Sequence, residues 1–276
     1  MLMLRSFVAT LLGLASAFVI VAGMEAWAQT PSYHVVTVSD GGTIAGVVKW
    51  SGPVPAPLTL PINKDVDVCD PHSRKRVSLE RLVVGPQGGV ANTVVFLQNI
   101  SAGKAFPPAM ARPLLDQIEC RYKPHIVLVP QNSDLDIRSS DATLHTVHME
   151  GAATYNLPFP FPNKTSSATM QTAGLVNLKC NGGHVWMNAE VWVIAHPYYT
   201  ITDESGKFVL TDVPAGEYQL VAWHEGWTVV REEGTIDVLA QRVVKRPTFS
   251  DPRSWEQKVT VHSNAEATVE FEISDK

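Results

Sequence analysis

Residues 175–193, LVNLKCNGGHVWMNAEVWV, contain two runs of alternating apolar side chains joined by a short loop with two glycines. In the first run, Val176, Leu178 and Cys180 occupy every second position. This spacing predicts a β-strand that presents the three side chains on one buried face. The second run, residues 190–194, predicts another strand. The thiol of Cys180 is therefore expected to point into a β-rich core at the end of a strand.

The loop between the two runs carries further candidate metal ligands. His184 and Met187 both follow Cys180 within eight residues. A thiolate, two imidazoles and a weakly bound thioether are the ligands of a type 1 copper site. We therefore expect one mononuclear copper ion here, with Met187 as the fourth ligand. In the alternative interpretation, the cysteine and the methionine are buried apolar residues and the histidine is an ordinary loop residue.

The second imidazole has to come from elsewhere in the chain. His145 follows the polar loop 139–144 and stands at the start of a predicted strand. His148 lies three residues further on, so an extended strand would direct the two imidazoles to opposite faces. We expect His145 to be the ligand and His148 to be the second choice.

This order of residues, a histidine followed by C-x3-H-x2-M, with Asn-Ser-Asp and Ser-Ser-Asp turns before the histidine, resembles a cupredoxin. The resemblance covers residues 81–195 and implies a Greek-key β-sandwich that carries copper. The ligand spacing departs from that of plastocyanin and azurin and is closer to the second half of the binuclear copper loop of cytochrome oxidase subunit II. That loop has another cysteine where this chain has Val176, so a mononuclear centre is expected.

The sequence after this segment follows a different pattern. From Thr202 it matches T-D-x-x-G-x-F-x-L-x-x-V-P-x-G-x-Y-x-L at every fixed position, which resembles the carboxypeptidase regulatory-like, or transthyretin-like, β-sandwich. We assign residues 196–276 to this second domain. An N-terminal β segment, residues 29–80, precedes the copper segment, and its residues 42–48 could be the first strand of the second sandwich. The combination resembles exported bacterial proteins labelled methylamine-utilisation-like.

Short alternating runs separated by turns predict an all-β protein, with at most one short helix around residues 114–118. The first 28 residues combine Arg5, an apolar run and an Ala-Trp-Ala ending, which predicts a cleaved signal peptide and a periplasmic or secreted protein. The alternative is a single membrane anchor. Because no cysteine stands at the cleavage point, no lipid anchor is expected, and no membrane association after cleavage.

Three cysteines in an exported chain cannot all pair within it. Cys69 and Cys120 lie in polar, proline-containing sequence, and we predict a disulfide between them with Cys180 free. The competing possibility is a second metal site formed by these two cysteines with His72 and His125.

The net charge of -5 and the charged fraction of 18% give no sign of a nucleic-acid partner. No nucleophile–base pair or substrate pocket is recognisable, so we expect a one-electron transfer module rather than an enzyme, with an exported c-type cytochrome or oxidase as partner. Copper holding or delivery, and a metal-free scaffold, are the alternatives. His196 and His224 belong either to a second metal site or to a contact between the domains at the edge of the copper site. In the alternative interpretation, one of them is exposed and the other packs between the domains.

Overall fold

The computed structural model describes residues 33–237 and 241–275, and the predicted signal peptide lies outside these ranges. The helical elements within them are α1 (Val66–Cys69) and a 3₁₀ turn (Pro108–Met110). In these ranges no helix has the length and apolar character needed to span a membrane. The predicted all-β class is confirmed, because the rest of the regular structure is strand.

The first twelve strands are β1 (His34–Val35), β2 (Gly42–Trp50), β3 (Thr59–Pro61), β4 (Arg76–Ser78), β5 (Val94–Gln98), β6 (Ala102–Gly103), β7 (Leu114–Ile118), β8 (Arg121–Lys123), β9 (Ile126–Pro130), β10 (Ser133–Ser139), β11 (His145–Gly151) and β12 (Tyr155–Phe159). The others are β13 (Lys164–Met170), β14 (Gly174–Cys180), β15 (Asn188–Ile194), β16 (Tyr199–Ile201), β17 (Lys207–Val213), β18 (Gly216–His224), β19 (Val229–Asp237), β20 (Arg242–Phe249), β21 (Arg253–Val261) and β22 (Glu266–Ile273).

The first sandwich consists of a four-stranded sheet, in the order β13-β10-β7-β8, and a five-stranded sheet, in the order β12-β11-β14-β15-β9. Every second side chain of a strand points to the same face. Leu135 and Ile137 of the first sheet therefore meet Val147, Met149 and Val176 of the second in one buried core. This core includes Cys180, so the thiol lies inside the first sandwich.

The short helix expected around residues 114–118 is wrong, because this segment forms β7. β7 pairs in parallel with β10 and antiparallel with β8. Leu115 and Gln117 are both fully buried. Pairing with two neighbouring strands thus decides the conformation of a five-residue segment with weak local preference.

The second sandwich is built from strands on both sides of the first in the chain. One of its sheets has the order β16-β5-β18-β21 and the other the order β17-β2-β22. Residues 42–48 lie in β2, which pairs with β17 and β22. β5 belongs to the expected copper segment, 81–195, yet it pairs with β16 and β18. The first sandwich is therefore inserted between β5 and β16, which are hydrogen-bonded neighbours.

A third, smaller apolar cluster joins the two sandwiches. Val94 and Trp223 of the second sandwich pack there with Ile126 of the first. The indoles of Trp192 and Trp223 meet edge to face, with ring centroids 5.0 Å apart. Tight packing of this kind fixes how the two sandwiches meet.

The predicted disulfide is confirmed: Cys69 at the end of α1 is bonded to Cys120 in the turn between β7 and β8, and Cys180 is free. The competing metal site is not assembled. His72 is exposed and lies 3.3 Å from Glu119, whereas His125 pairs with Glu225 at the junction of the two sandwiches.

Candidate metal centre

Cys180 is the last residue of β14, and its backbone position is opposite Val147 of β11. Its side chain is fully buried, in phase with Val176 and Leu178 as the alternation predicts. The glycine loop then turns tightly around the sulfur. Gly182 donates its N–H to the Cys180 sulfur at 3.3 Å, and Gly183 has a φ of 93° that favours glycine.

His145 is the first residue of β11, and its imidazole is fully buried beside the thiol. His148 points to the other face of the strand, where its Nε2 lies 2.8 Å from Glu150 Oε1. The structure therefore brings His145 into the cluster with Cys180 and His184, and it does not bring His148 there.

The sulfur and two imidazole nitrogens form a triangle. Cys180 Sγ is 3.8 Å from His145 Nδ1 and 3.7 Å from His184 Nδ1. The two imidazole centroids are 4.7 Å apart. The sulfur–nitrogen separations are too long for strong hydrogen bonds. Separations of this size are expected between two ligand atoms that bind the same metal ion with bonds of about 2.0–2.3 Å. The donor set fits a bound metal ion.

A carboxylate holds the outer nitrogen of each imidazole. His145 Nε2 lies 2.9 Å from Asp141 Oδ2, and His184 Nε2 lies 2.9 Å from Asp65 Oδ2. When the ring is neutral, as in a metal complex, a carboxylate that accepts the Nε2–H leaves Nδ1 as the lone pair that faces the sulfur. Metal-binding histidines are usually oriented in this way, so the two carboxylates support a metal centre.

The local charges favour an ionised thiol. Burial by itself raises the pKa of the Cys180 thiol, but the adjacent imidazoles of His145 and His184 outweigh burial and hold the pKa well below its usual value. Burial would lower the pKa of His145, but Asp141 and the Cys180 sulfur raise it to about 9. A thiolate is the form of cysteine that binds metals.

Met187 lies in the same loop and is almost fully buried in the core of the first sandwich. Its backbone N–H donates to the carbonyl of His184 at 3.1 Å. This turn keeps the thioether within the loop that carries two of the other candidate ligands. This buried position is compatible with both roles of Met187, an apolar core residue and a weak metal ligand.

The candidate metal centre is covered by two residues that the sequence analysis did not connect with it, Arg246 and Asp237. Arg246 of β20 donates from Nη2 to the Cys180 carbonyl at 2.6 Å. Asp237 at the end of β19 pairs with Lys64 at 2.9 Å, in a position where its carboxylate closely approaches Gly183. The β19–β20 hairpin therefore closes over the metal loop from the side of the second sandwich.

His196 and His224 are not part of a metal cluster among the described residues. His196 is buried between the rings of Tyr33, Tyr198 and Tyr199, so the expectation of an exposed histidine is wrong. His224 is fully buried at the end of β18, and its Nδ1 lies 2.8 Å from the carbonyl oxygen of Glu225.

A buried ionic network lies where the sandwiches meet. Glu225 pairs with both His125 and Arg81, and the same guanidinium is 3.6 Å from Glu190. Burial and the neighbouring Glu225 carboxylate hold the pKa of Glu190 well above its usual value. Beside this network is a cleft of about 370 Å³ whose walls include Trp186. No pattern in the sequence indicated this cleft, and the expectation that the protein is not an enzyme stays a prediction.

Sequence reasoning found the thiol and both imidazoles but missed their supports. Asp141 stands four residues before His145, in the Ser-Ser-Asp turn, and this spacing was a usable signal. Asp65 is 119 residues from His184, and no local pattern links them. Arg246 likewise reaches the site only through the fold.

Comparison with known proteins adds a partial family match. The family model described as polysaccharide lyase family 4, domain II, matches residues 168–245. This span is less than a third of the chain and contains strands of both sandwiches. No curated protein matches the chain.

Several solved structures are similar to part of the chain. The Cu-containing nitrite reductase from Thermus scotoductus shows 14% identity over 33% of this chain and 24% of its own, with a TM-score of 0.29. A purple cupredoxin from Nitrosopumilus maritimus shows 14% identity over 30% of this chain and 99% of its own, with a TM-score of 0.27. An oxidised mutant of amicyanin shows 18% identity over 42% of this chain and 93% of its own, with a TM-score of 0.28. The chain spans only about a quarter of the nitrite reductase, and likenesses this distant establish no function.

Proposed function

We propose that the chain binds one copper ion between Cys180, His145 and His184 and acts as an exported one-electron carrier. The observation that carries this proposal is the buried triangle of one sulfur and two Nδ1 atoms, with separations of 3.7 and 3.8 Å and a carboxylate on each outer nitrogen. A thiolate with two imidazoles is the donor set that distinguishes blue-copper electron-transfer sites from oxygen-rich magnesium or calcium sites.

Copper bound to this set would supply a Cu(I)/Cu(II) couple. The protein's part is to hold the ligands nearly fixed in both oxidation states. Cys180 and His145 lie at the ends of paired strands, and Asp141 and Asp65 fix the two rings. Little rearrangement then accompanies gain or loss of an electron. Met187 would be the fourth and weakly bound ligand, because it is buried in the same short loop.

The proposed partner is an exported c-type cytochrome or oxidase, which exchanges single electrons. This part of the proposal rests on the predicted signal peptide and on the one-electron chemistry of the ligand set.

Copper holding or delivery is the second candidate. Both imidazoles are fully buried, and the metal loop is covered by Arg246 and by the Lys64–Asp237 pair. A covered site retains its ion, which favours storage. The two functions differ in the rate of electron exchange with a small exported redox protein, which is fast for a carrier and slow for a store.

The visible absorption spectrum after addition of Cu(II) tests the site. We expect an intense thiolate-to-copper band in the wild type that is absent from Cys180→Ser and retained in His148→Ala, the control on the same strand as His145. A change in band position in Met187→Leu would identify the thioether as a ligand. A wild-type protein that stays colourless contradicts the proposal.

A further inference from the structure

The Cys69–Cys120 disulfide lies directly beside one of the copper-site histidines. A sulfur atom of Cys69, a sulfur atom of Cys120 and a ring nitrogen of His184 all lie within 4.8 Å of one another. All three residues are buried. Two sulfurs and an imidazole nitrogen at this separation have the spacing of ligands to one metal ion. While the two sulfurs are bonded to each other, they are not available as thiolate ligands.

The disulfide also contacts the supports of both imidazoles. The N–H of Cys120 donates to Asp141 Oδ2 at 2.8 Å, on the carboxylate that holds His145. The N–H of Cys69 donates to the carbonyl of Asp65 at 2.8 Å, the residue whose carboxylate holds His184. The second of these bonds is the i to i−4 hydrogen bond of α1, so this helical turn links Cys69 directly to Asp65.

On one side the disulfide is carried by a single turn of helix, because Cys69 is the last residue of α1. α1 has four residues, and the neighbouring Asp65, Val66 and Asp67 are exposed. Short elements with exposed residues open locally at a low free-energy cost, and such an opening of α1 gives a thiol reagent a route to Cys69.

We infer that reduction of the Cys69–Cys120 disulfide creates a second metal site, in which the two thiolates and His184 bind one Cu(I) ion. Thiolates are soft ligands that select Cu(I). The site goes beyond the proposed electron-transfer centre, since it uses two residues that have no part in that centre.

The chemistry balances with a dithiol as reductant. Two electrons and two protons pass to the disulfide, the S–S bond breaks, and Cys69 and Cys120 become thiols while the reductant becomes a disulfide. Binding of Cu(I) then releases the thiol protons to solvent without a change in the oxidation state of the metal.

His184 is common to both ligand sets. When the sulfur-rich site takes the Nδ1 atom that faces Cys180, it withdraws this imidazole from the electron-transfer centre. This consequence, unlike the site itself, rests on the proposed function. The redox state of one disulfide would then decide whether the protein carries electrons or sequesters Cu(I).

The test uses the Cys180→Ser variant, which lacks the electron-transfer centre but retains the disulfide and His184. The protein is reduced with a phosphine, freed of it under anaerobic conditions, and titrated with Cu(I) against bicinchoninate. We expect the reduced variant to bind one Cu(I) per chain and to compete at least about tenfold better than the oxidised variant. X-ray absorption should show two sulfur ligands.

Two double variants complete the experiment. Cys180→Ser with His184→Gln should lose about tenfold or more of the reduction-dependent affinity, whereas Cys180→Ser with His148→Ala should keep it. Equal Cu(I) binding before and after reduction, loss of the folded circular dichroism spectrum on reduction, or binding that ignores His184→Gln would each overturn the inference. None of these outcomes depends on the colour of wild-type protein with Cu(II), which tests the proposed function separately.

Discussion

Asp65 and Asp141 act on the candidate metal centre through the imidazoles that they hold. Each carboxylate accepts the Nε2 proton of one histidine at 2.9 Å and so fixes the ring with Nδ1 toward the sulfur. Asp141 also accepts two backbone N–H groups, from Glu119 and Cys120, which makes it a rigid support. Asp65 is half-exposed and is the support that can be altered with the least disturbance of the core.

We expect Asp65→Asn to weaken copper binding by about 10- to 100-fold, because loss of the charged acceptor leaves the His184 ring less well oriented. Competition with a chelator of known affinity measures the change. Asp67→Asn, an exposed substitution on the same helical turn, should bind copper like the wild type. Equal affinities in both variants would contradict a role for the Asp65 carboxylate.

His196 gives a prediction about pH. Burial lowers its pKa to about 4, below the usual value of about 6.5 in an unfolded chain. Between these values the unfolded state binds more protons than the folded state, so the free energy of unfolding falls as the pH falls. We expect this histidine to cost roughly 3 kcal/mol of stability between pH 7 and pH 4.

Urea denaturation at pH 7 and at pH 4, carried out on the wild type and on His196→Gln, measures this effect. His196→Gln has no titrating ring and should show a smaller loss of stability over that range than the wild type. A loss of the same size in both proteins would mean that His196 is not the titrating group.

At the scale of elements, the β19–β20 hairpin is the cover of the metal loop. Among the described residues its two strands pair with each other, and the half-buried guanidinium of Arg246 donates to the carbonyl of Cys180 in the metal loop. Burial lowers the pKa of Arg246, as expected for a cation withdrawn from water. The cover is held by polar contacts of Arg246 and Asp237 and by Phe249, which packs against the core of the first sandwich.

Arg246→Met should lower the free energy of unfolding by about 1–3 kcal/mol, because it leaves the Cys180 carbonyl without its donor. It should also speed the release of bound copper to a chelator. Lys245→Met, next to it on the strand and exposed, is the control and should change neither quantity. Copper release at the wild-type rate from Arg246→Met would show that the hairpin does not control access.

The elements that sequence predicted well are those whose conformation is set by local alternation. Val176, Leu178 and Cys180 repeat at the strand period, and β14 forms as that period requires. The segment 114–118 has no such repeat, and partner strands made it β7. Arg246 and Asp65 reach the site from distant parts of the chain. A local sequence pattern does not show which distant residues the fold brings together.

At the scale of the whole molecule, the two sandwiches meet at the ionic network of Arg81, Glu190 and Glu225 and at the cluster around Trp223. Removal of one partner from a buried ion pair leaves an uncompensated charge, which costs far more than an exposed pair contributes. The junction is therefore the place where a single substitution should affect both sandwiches.

Arg81→Met should lower the free energy of unfolding by about 3–5 kcal/mol, because Glu225 stays buried with less compensation. In calorimetry we expect one transition for the wild type and two for Arg81→Met. Arg112→Met, which removes exposed pairs with Asp134 and Asp136, should leave the transition nearly unchanged. A single, unshifted transition in Arg81→Met would show that the network does not couple the sandwiches.

The insertion of the first sandwich between β5 and β16 also sets an order of folding. β2 and β22 pair in parallel although more than 200 residues separate them, so the second sandwich needs the last strand of the chain. Pairing across such a separation is slow until the intervening chain is compact. The inserted sandwich brings β5 and β16 together when it folds. His145, Cys180 and His184 all precede β19 in the chain, so during synthesis the three candidate ligands emerge before the hairpin that covers them.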